Sequence, residues 1–222
     1  MAATVAKLER HRRQRNLQRA GSKRPPYQRV LIVSEGSKTE PNYLDEMRIE
    51  RRLPAAHIRI VPSALGTQPR QVVDYAEQLF RQSGEYDVVV AVFDRDDHAT
   101  YHDALARAEQ LNGAMRNDFR ELVPFFVAAS VPSFELWLLL HFEDVQAWRP
   151  RGEVYARLRA AMPEYEKGTK GVYARTKANL PLAIARAKRL AARATLRDDQ
   201  EPNSTIFQLI ELLLDDKAEG KT

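Results

Sequence analysis

Two short stretches hold side chains able to do chemistry together. The first reads Val33-Ser34-Glu35-Gly36, a carboxylate directly behind an apolar run, followed by a glycine that permits a tight turn and close ligand approach. The second reads Phe93-Asp94-Arg95-Asp96-Asp97-His98. On an extended backbone Asp94 and Asp96 point the same way. Carboxylates gathered at one edge repel one another and persist as anions only when a cation or a basic side chain sits among them. An all-oxygen donor set suits a hard ion. Mg2+, or Mn2+ in its place, keeps most of its waters and takes one or two carboxylates plus a substrate phosphate. Glu35, Asp94 and Asp96 are therefore the candidate metal ligands and catalytic residues for phosphodiester chemistry. Helix capping is the competing role, because Asp is a favoured N-cap and acidic first turns suit the helix dipole. It fits Asp97, whereas the Asp94 and Asp96 pair with Glu35 points to metal.

Secondary candidates surround these. Lys38 and Thr39 lie on the turn after Glu35, where a phosphate oxygen can meet a cation and a hydroxyl, and Thr39 serves equally as an N-cap. Glu40 either joins the acidic cluster or sits in a first helical turn, and the helix dipole favours the turn. His98 and His141 are candidate proton carriers near neutral pH, although a lone histidine at a helix end is more often structural. Tyr165, Lys167 and Lys170 make an aromatic and basic stretch that reads either as a nucleic-acid contact or as a plain loop.

These residues need elements to position them. Val30 to Val33, His57 to Val61, Val88 to Phe93 and Phe125 to Ala129 are short apolar runs of the kind found in buried parallel strands. Between them lie helical patterns at Pro41 to Arg52, Pro69 to Gln82 and Tyr101 to Asn112, the first two with proline near the opening turn. The alternation predicts an α/β fold, a mostly parallel, Rossmann-like sheet flanked by helices on both faces. Ligands of such sheets collect beyond the carboxyl ends of the strands, where Glu35 and Asp94 fall. After Phe134 the pattern is helical, over Leu136 to Phe142, Val154 to Ala161, Leu182 to Ala194 and Ile206 to Leu214, with no further strand signal. Arg186 to Arg197 reads as the wet face of a helix packed through Ala and Leu. The expected organisation is a basic flexible arm over residues 1–27, an α/β domain over 28–145 and a helical part over 146–222 packed on it.

Composition excludes several classes. The 222 residues are 44% hydrophobic, enough for one ordinary core, and contain no cysteine, which removes disulfides, thiolate metal sites and cysteine nucleophiles. No apolar run nears the roughly 20 residues that span a bilayer, and no apolar stretch follows the first arginines, so neither a membrane span nor a secretory signal is expected and the cytoplasm is the expected compartment. The net charge of +5 is lopsided. Residues 1–24 hold Lys7, Arg10, Arg12, Arg13, Arg15, Arg19, Lys23 and Arg24 against Glu9 alone, leaving 27 bases and 29 acids for the rest. The arm is thus either a nucleic-acid contact, neutralising phosphates and releasing their counterions, or a solvated tail; the body makes no general electrostatic case for phosphate. GxxxxGK[ST] is absent, so ATP dependence would have to come from a partner.

Three ordered blocks carry a family resemblance. Val30 to Tyr43 contains EGSKTEPNY and resembles the apolar strand plus EGxxTExxY that opens RloB-like proteins; Val92 to His98 carries the DxD; and Phe134 to Phe142 is similar to the family's FExWLLLHF block. Asn203-Ser204-Thr205-Ile206 matches more loosely an NPST-like sequence. Val131 and Ser133 stand where the family has asparagine and cysteine, and Pro202-Asn203 is in swapped order. The resemblance implies a Toprim-like fold, with Glu35 as the glutamate after the first strand and Asp94 and Asp96 as the DxD holding Mg2+. It also lends Glu135 a site role beside its alternative as a capping carboxylate. It implies antiphage defence, with an ABC/AAA-like ATPase of the RloA type as partner. The expected function is a metal-dependent nuclease on DNA or on tRNA or other RNA. The alternative is a non-catalytic subunit that binds nucleic acid or nucleotide and reports to that ATPase. A nucleotide-sugar transferase, which also uses DxD, has no use for the EGxxTE turn or the FExWLLLHF block.

Overall fold

A computed structural model describes residues 27–95, 99–198 and 201–215. The arm residues Arg10, Arg12, Arg13, Arg15, Arg19, Lys23 and Arg24, and the candidates Asp96, Asp97 and His98, lie outside the described residues.

Strands β1 (Val30–Ser34), β2 (Ile58–Pro62) and β3 (Val88–Asp94) alternate with helices α1 (Thr39–Glu50), α2 (Pro69–Ser83) and α3 (Tyr101–Leu111). A two-residue hairpin, β4 (Met115–Arg116) with β5 (Leu122–Val123), leads into β6 (Phe125–Val131). Helices α4 (Phe134–Leu139), α5 (Arg151–Ala161), α6 (Val172–Thr176) and α7 (Leu180–Arg193) follow, then β7 (Asn203–Ser204) and α8 (Ile206–Asp215). The five-stranded sheet runs β2-β1-β3-β6-β7, parallel except for β7. This is the expected α/β architecture, a mostly parallel sheet flanked by helices with further helices at its C-terminal side.

The two-residue period of a strand decides which face each residue feeds. Val88, Val90 and Val92 enter one apolar cluster with Tyr43, Leu44 and Met47 of α1 and the later helices. Val89, Ala91 and Phe93 enter the other, against Val72, Val73, Ala76, Leu79 and Phe80 of α2 and Ala104, Leu105 and Ala108 of α3. Burial on both faces explains the unbroken apolar sequence of β3; each such side chain contributes roughly 1.5–3 kcal/mol. Local signals set the ends of α2. The Gln68 N–H donates to Gln71 Oε1 at 3.1 Å, Pro69 takes the first turn, and Gly84 leaves the helix at φ 65°.

Several boundaries differ from the sequence expectation. The helix expected from Pro41 starts at Thr39, which makes Thr39 a helical residue rather than the N-cap; its hydroxyl accepts from the Gly168 N–H at 3.1 Å. Helix α4 begins at Phe134, α5 at Arg151 and α7 at Leu180, each ahead of the apolar position that marked it. The stretch after Phe134 does contain a strand. β7 pairs Ser204 with Ser130 and Asn203 with Val131, and the Ser130 and Ser204 hydroxyls meet at 2.9 Å. Thr205 Oγ1 donates to Val127 O at 3.1 Å and accepts from the Ala129 N–H at 3.0 Å. The Asn203-Ser204-Thr205 motif therefore stitches the free edge of β6 with side-chain hydrogen bonds, and polar residues of that kind leave no apolar strand pattern.

The basic face of α7 is largely committed to neighbours. Lys188 pairs with Glu211 at 2.6 Å, Arg189 with Asp144 at 2.9 Å, and Arg186 donates to Leu140 O at 2.7 Å. No helix among the described residues is long and apolar enough to cross a membrane.

Candidate functional site

The strand order reverses between β1 and β3: the chain leaves β1 for β2 on one side, then crosses to β3 on the other. Such a switch point opens a crevice beyond the carboxyl ends of the two strands. Glu35 is the first residue past β1, and Asp94 ends β3. Two backbone donors lock them together. The Glu35 N–H donates to Val92 O at 2.8 Å, and the Asp94 N–H donates to Glu35 Oε2 at 3.1 Å. Ser34 Oγ donates to Gly36 O at 2.9 Å, closing the turn that redirects the chain into α1. A Cβ at Gly36 would fall 2.3 Å from Glu40 Oε2, so the absence of a side chain there makes room for the Glu40 carboxylate.

Glu40 thus fills both of its expected roles, lying in the first turn of α1 and in the acidic cluster. Glu135 reaches the cluster from the far side. It sits in the first turn of α4, two residues after the Ser133 whose hydroxyl donates to Glu135 Oε2 at 2.6 Å. Tyr165 donates to Glu135 Oε1 at 3.3 Å, and Lys167 Nζ stands 3.9 Å from the same oxygen. Asp94, Glu40 and Glu135 are all buried.

Burying like charges together raises their affinity for protons. Burial first, and then the charges of Glu40, Glu135 and Glu35, hold the Asp94 carboxyl well above the usual range, with Arg151 opposing. Burial first, then Glu35 and Glu135, pushes Glu40 up to about 7 against its own backbone hydrogen bond and the charge of Lys167. Burial and the adjacent Glu135 also raise the Tyr165 hydroxyl, which keeps it protonated and donating.

The donor chemistry of this crevice fits a hard divalent cation, since its acidic groups are all carboxylates and their mutual repulsion is relieved by positive charge. The placement is less complete: among the described residues no three His, Asp or Glu side chains gather closely enough to hold a metal ion. Glu35 and Asp94 are joined through the Asp94 amide, and the DxD partner Asp96 lies outside the described residues.

Other candidates fall elsewhere. Lys38 is exposed beside this turn, with its stem against Gly168. His141 lies in the core, its Nδ1–H donating to Trp137 O at 3.0 Å and its Nε2 3.4 Å from the Tyr43 hydroxyl. Burial lowers its pKa to about 4, which holds the ring neutral and suits packing. Tyr165 is fully buried and so belongs to the cluster's second wall rather than to a surface patch. Sequence reasoning missed Ser133 as a partner of Glu135 and passed over Arg151. The two glycines of Glu166-Lys167-Gly168-Thr169-Lys170-Gly171, at φ 83° and 78°, were the available signal for a tightly folded loop. A cavity of about 420 Å³ lies at the amino half of β6, lined by Leu105, Phe126, Leu196 and Gln208 among others, and includes none of Glu35, Glu40, Asp94 and Glu135.

The family model described as RloB-like protein matches residues 30–213, a span holding Glu35, Glu40, Asp94, Glu135 and Lys167. No curated protein and no solved structure matches the chain.

Proposed function

The chain belongs to the RloB-like family, and from that premise we propose that it is a metal-dependent nuclease of the Toprim type, acting in antiphage defence under the control of an RloA-type ATPase. The observation that carries this is the meeting of Glu35 and Asp94 at the β1/β3 crevice, tied by a 3.1 Å hydrogen bond and crowded by two further carboxylates. Mg2+ or Mn2+, held by Glu35 and Asp94 with Asp96, would supply charge neutralisation at the scissile phosphate and an activated water. The protein's own groups do the rest. Glu35, fixed by the Asp94 amide, manages a proton through its carboxylate. Glu40 and Asp94, whose affinity for protons is raised, would add negative charge to hold a cation once ionised, and Ser133, Tyr165 and Lys167 hold Glu135 in place.

The alternative keeps the same crevice in a subunit that binds nucleic acid or nucleotide and signals to the ATPase without cutting. A single experiment separates the two. The full chain, alone and with the ATPase, is offered DNA and tRNA with Mg2+ and with Mn2+, and cleavage and binding are both measured. Cleavage that needs metal and is lost in Glu35→Gln supports the nuclease. Binding without cleavage under every condition assigns the regulatory role instead.

A further inference from the structure

The loop between α5 and α6 is fastened to α1 at several points. The Gly168 N–H donates to Thr39 Oγ1 at 3.1 Å, Asn42 Nδ2 donates to Gly168 O at 3.0 Å, and the Glu46 carboxylate accepts from the Gly171 N–H at 2.5 Å and the Tyr173 N–H at 3.1 Å. The side chains so tied come from α1, and two of them, Thr39 and Asn42, lie in its first turn. This strap lays Lys167 against Glu135, at an ion-pair distance beyond hydrogen-bond reach, while about half of the lysine side chain stays open to solvent. It also seats Gly168 on Lys38. A Cβ built at Gly168 would lie 3.0 Å from both Cβ and Cδ of Lys38, and the residue's φ of 83° already excludes most side chains.

We propose that Lys38 and Lys167, brought together at Gly168 by this strap, form a phosphate clamp that seats a nucleic-acid strand at the mouth of the carboxylate crevice. The chemistry asks for such a device. The body of the chain carries slightly more acid than base, and the crevice is anionic, so a phosphodiester would be repelled unless fixed cations stand at its entrance. Lysine suits that post, since its ammonium is a compact charge with three donors. Lys167 has a further advantage, because the same ammonium offsets the charge of Glu135 when no strand is present. The clamp rests on the proposed function for its ligand class, yet it concerns binding and not cleavage.

The test is binding of fluorescent single-stranded DNA and RNA oligonucleotides to the full chain in EDTA, as a function of salt. Lys38→Met and Lys167→Met should each weaken binding to all sequences alike and reduce the slope of log affinity against log salt by about 0.7, while Lys167→Arg restores it. Lys170→Met removes an equal charge from the same loop and should leave both quantities near the parent's. Gly168→Ala, which strains the strap without changing charge, should weaken binding as the lysine variants do. Melting curves identify any variant that is unfolded, in which case the Arg and Ala substitutions decide. Equal effects of Lys167→Met and Lys170→Met overturn the clamp while leaving the nuclease standing. Loss of binding in the clamp variants of a parent that never cleaves leaves the clamp standing and removes the nuclease. A parent that binds neither oligonucleotide overturns both.

Discussion

The Asp94 amide donates to Glu35 Oε2 at 3.1 Å, joining residues 59 positions apart in the chain. The bond makes the glutamate's orientation a property of β3 and the aspartate's approach a property of β1. The Glu35 carboxylate cannot leave this position without freeing the Asp94 amide at the exit of β3.

Glu35→Gln keeps an oxygen to accept that bond, and Glu35→Ala does not. Stability of the Gln variant should match the parent, while the Ala variant should lose about 1 kcal/mol in urea titrations for the amide left without its acceptor. Cleavage should fall by roughly two to four orders of magnitude in both, with nucleic-acid binding retained by Gln. A Gln variant that cleaves at the parent's rate removes Glu35 from catalysis.

Asp94→Asn takes one anion out of a buried group of carboxylates. Without metal the variant should melt at or above the parent's temperature, because repulsion is relieved. Addition of Mg2+ or Mn2+ should raise the parent's melting temperature and leave the variant's unchanged. Equal metal-induced shifts in the two proteins would contradict the assignment.

The acidity of Glu40 gives a signed pH dependence. Its folded value, pushed up to about 7 by burial and by Glu35 and Glu135, exceeds the roughly 4.3 of an unfolded chain. The stabilisation from its bound proton is complete below the lower value and lost as pH rises through the upper one. In EDTA, Glu40→Gln should be more stable than the parent near pH 8 by on the order of 2–3 kcal/mol, with the gap closing toward about pH 5. Parallel stability profiles for the two would show that Glu40 does not titrate in this window.

At the opposite end of the sheet, Arg29 bridges Asp87 at 2.7 Å and Asp118 at 2.8 Å, and Asn117 donates to Asp87 at 2.8 Å. Burial works against the Asp87 charge, but the hydrogen bonds and charge of Arg29 overcome it and hold the carboxyl below its ordinary range. Its contribution is therefore present above about pH 3.9 and lost as pH falls through the lower folded value. Asp87→Asn should lower stability by about 2 kcal/mol at neutral pH, and by less in acid. Chemical denaturation at several pH values reads this directly.

Deletion of residues 1–24 removes eight bases and one acid. Core stability should not change, whereas nucleic-acid affinity should fall and its salt dependence flatten as fewer counterions are released. An unchanged salt slope would mark the arm as a solvated tail.

The fold class was legible because burial on both faces imposes an unbroken apolar run on each central strand, and Val88 to Phe93 shows it without ambiguity. The position of Glu35 and Asp94 followed from the same runs, since polar residues at strand exits of a parallel sheet face one edge. The short strands did not show. Met115–Arg116 and Leu122–Val123 are too brief for a two-residue period to register, and Asn203–Ser204 is held by hydroxyls and an amide whose partners lie on β6 and at Ala194. Sequence determined which carboxylates stand at the ends of which strands, because the alternation of apolar and polar residues is local. Only tertiary structure decided that Glu40 and Glu135 share their crevice, that Lys167 crosses from a distant loop to meet them, and that His141 is sealed in the core. Those outcomes depend on how α1, α4 and the Gly168 strap pack together, and packing between elements far apart in the chain leaves no periodic trace in the residues that take part.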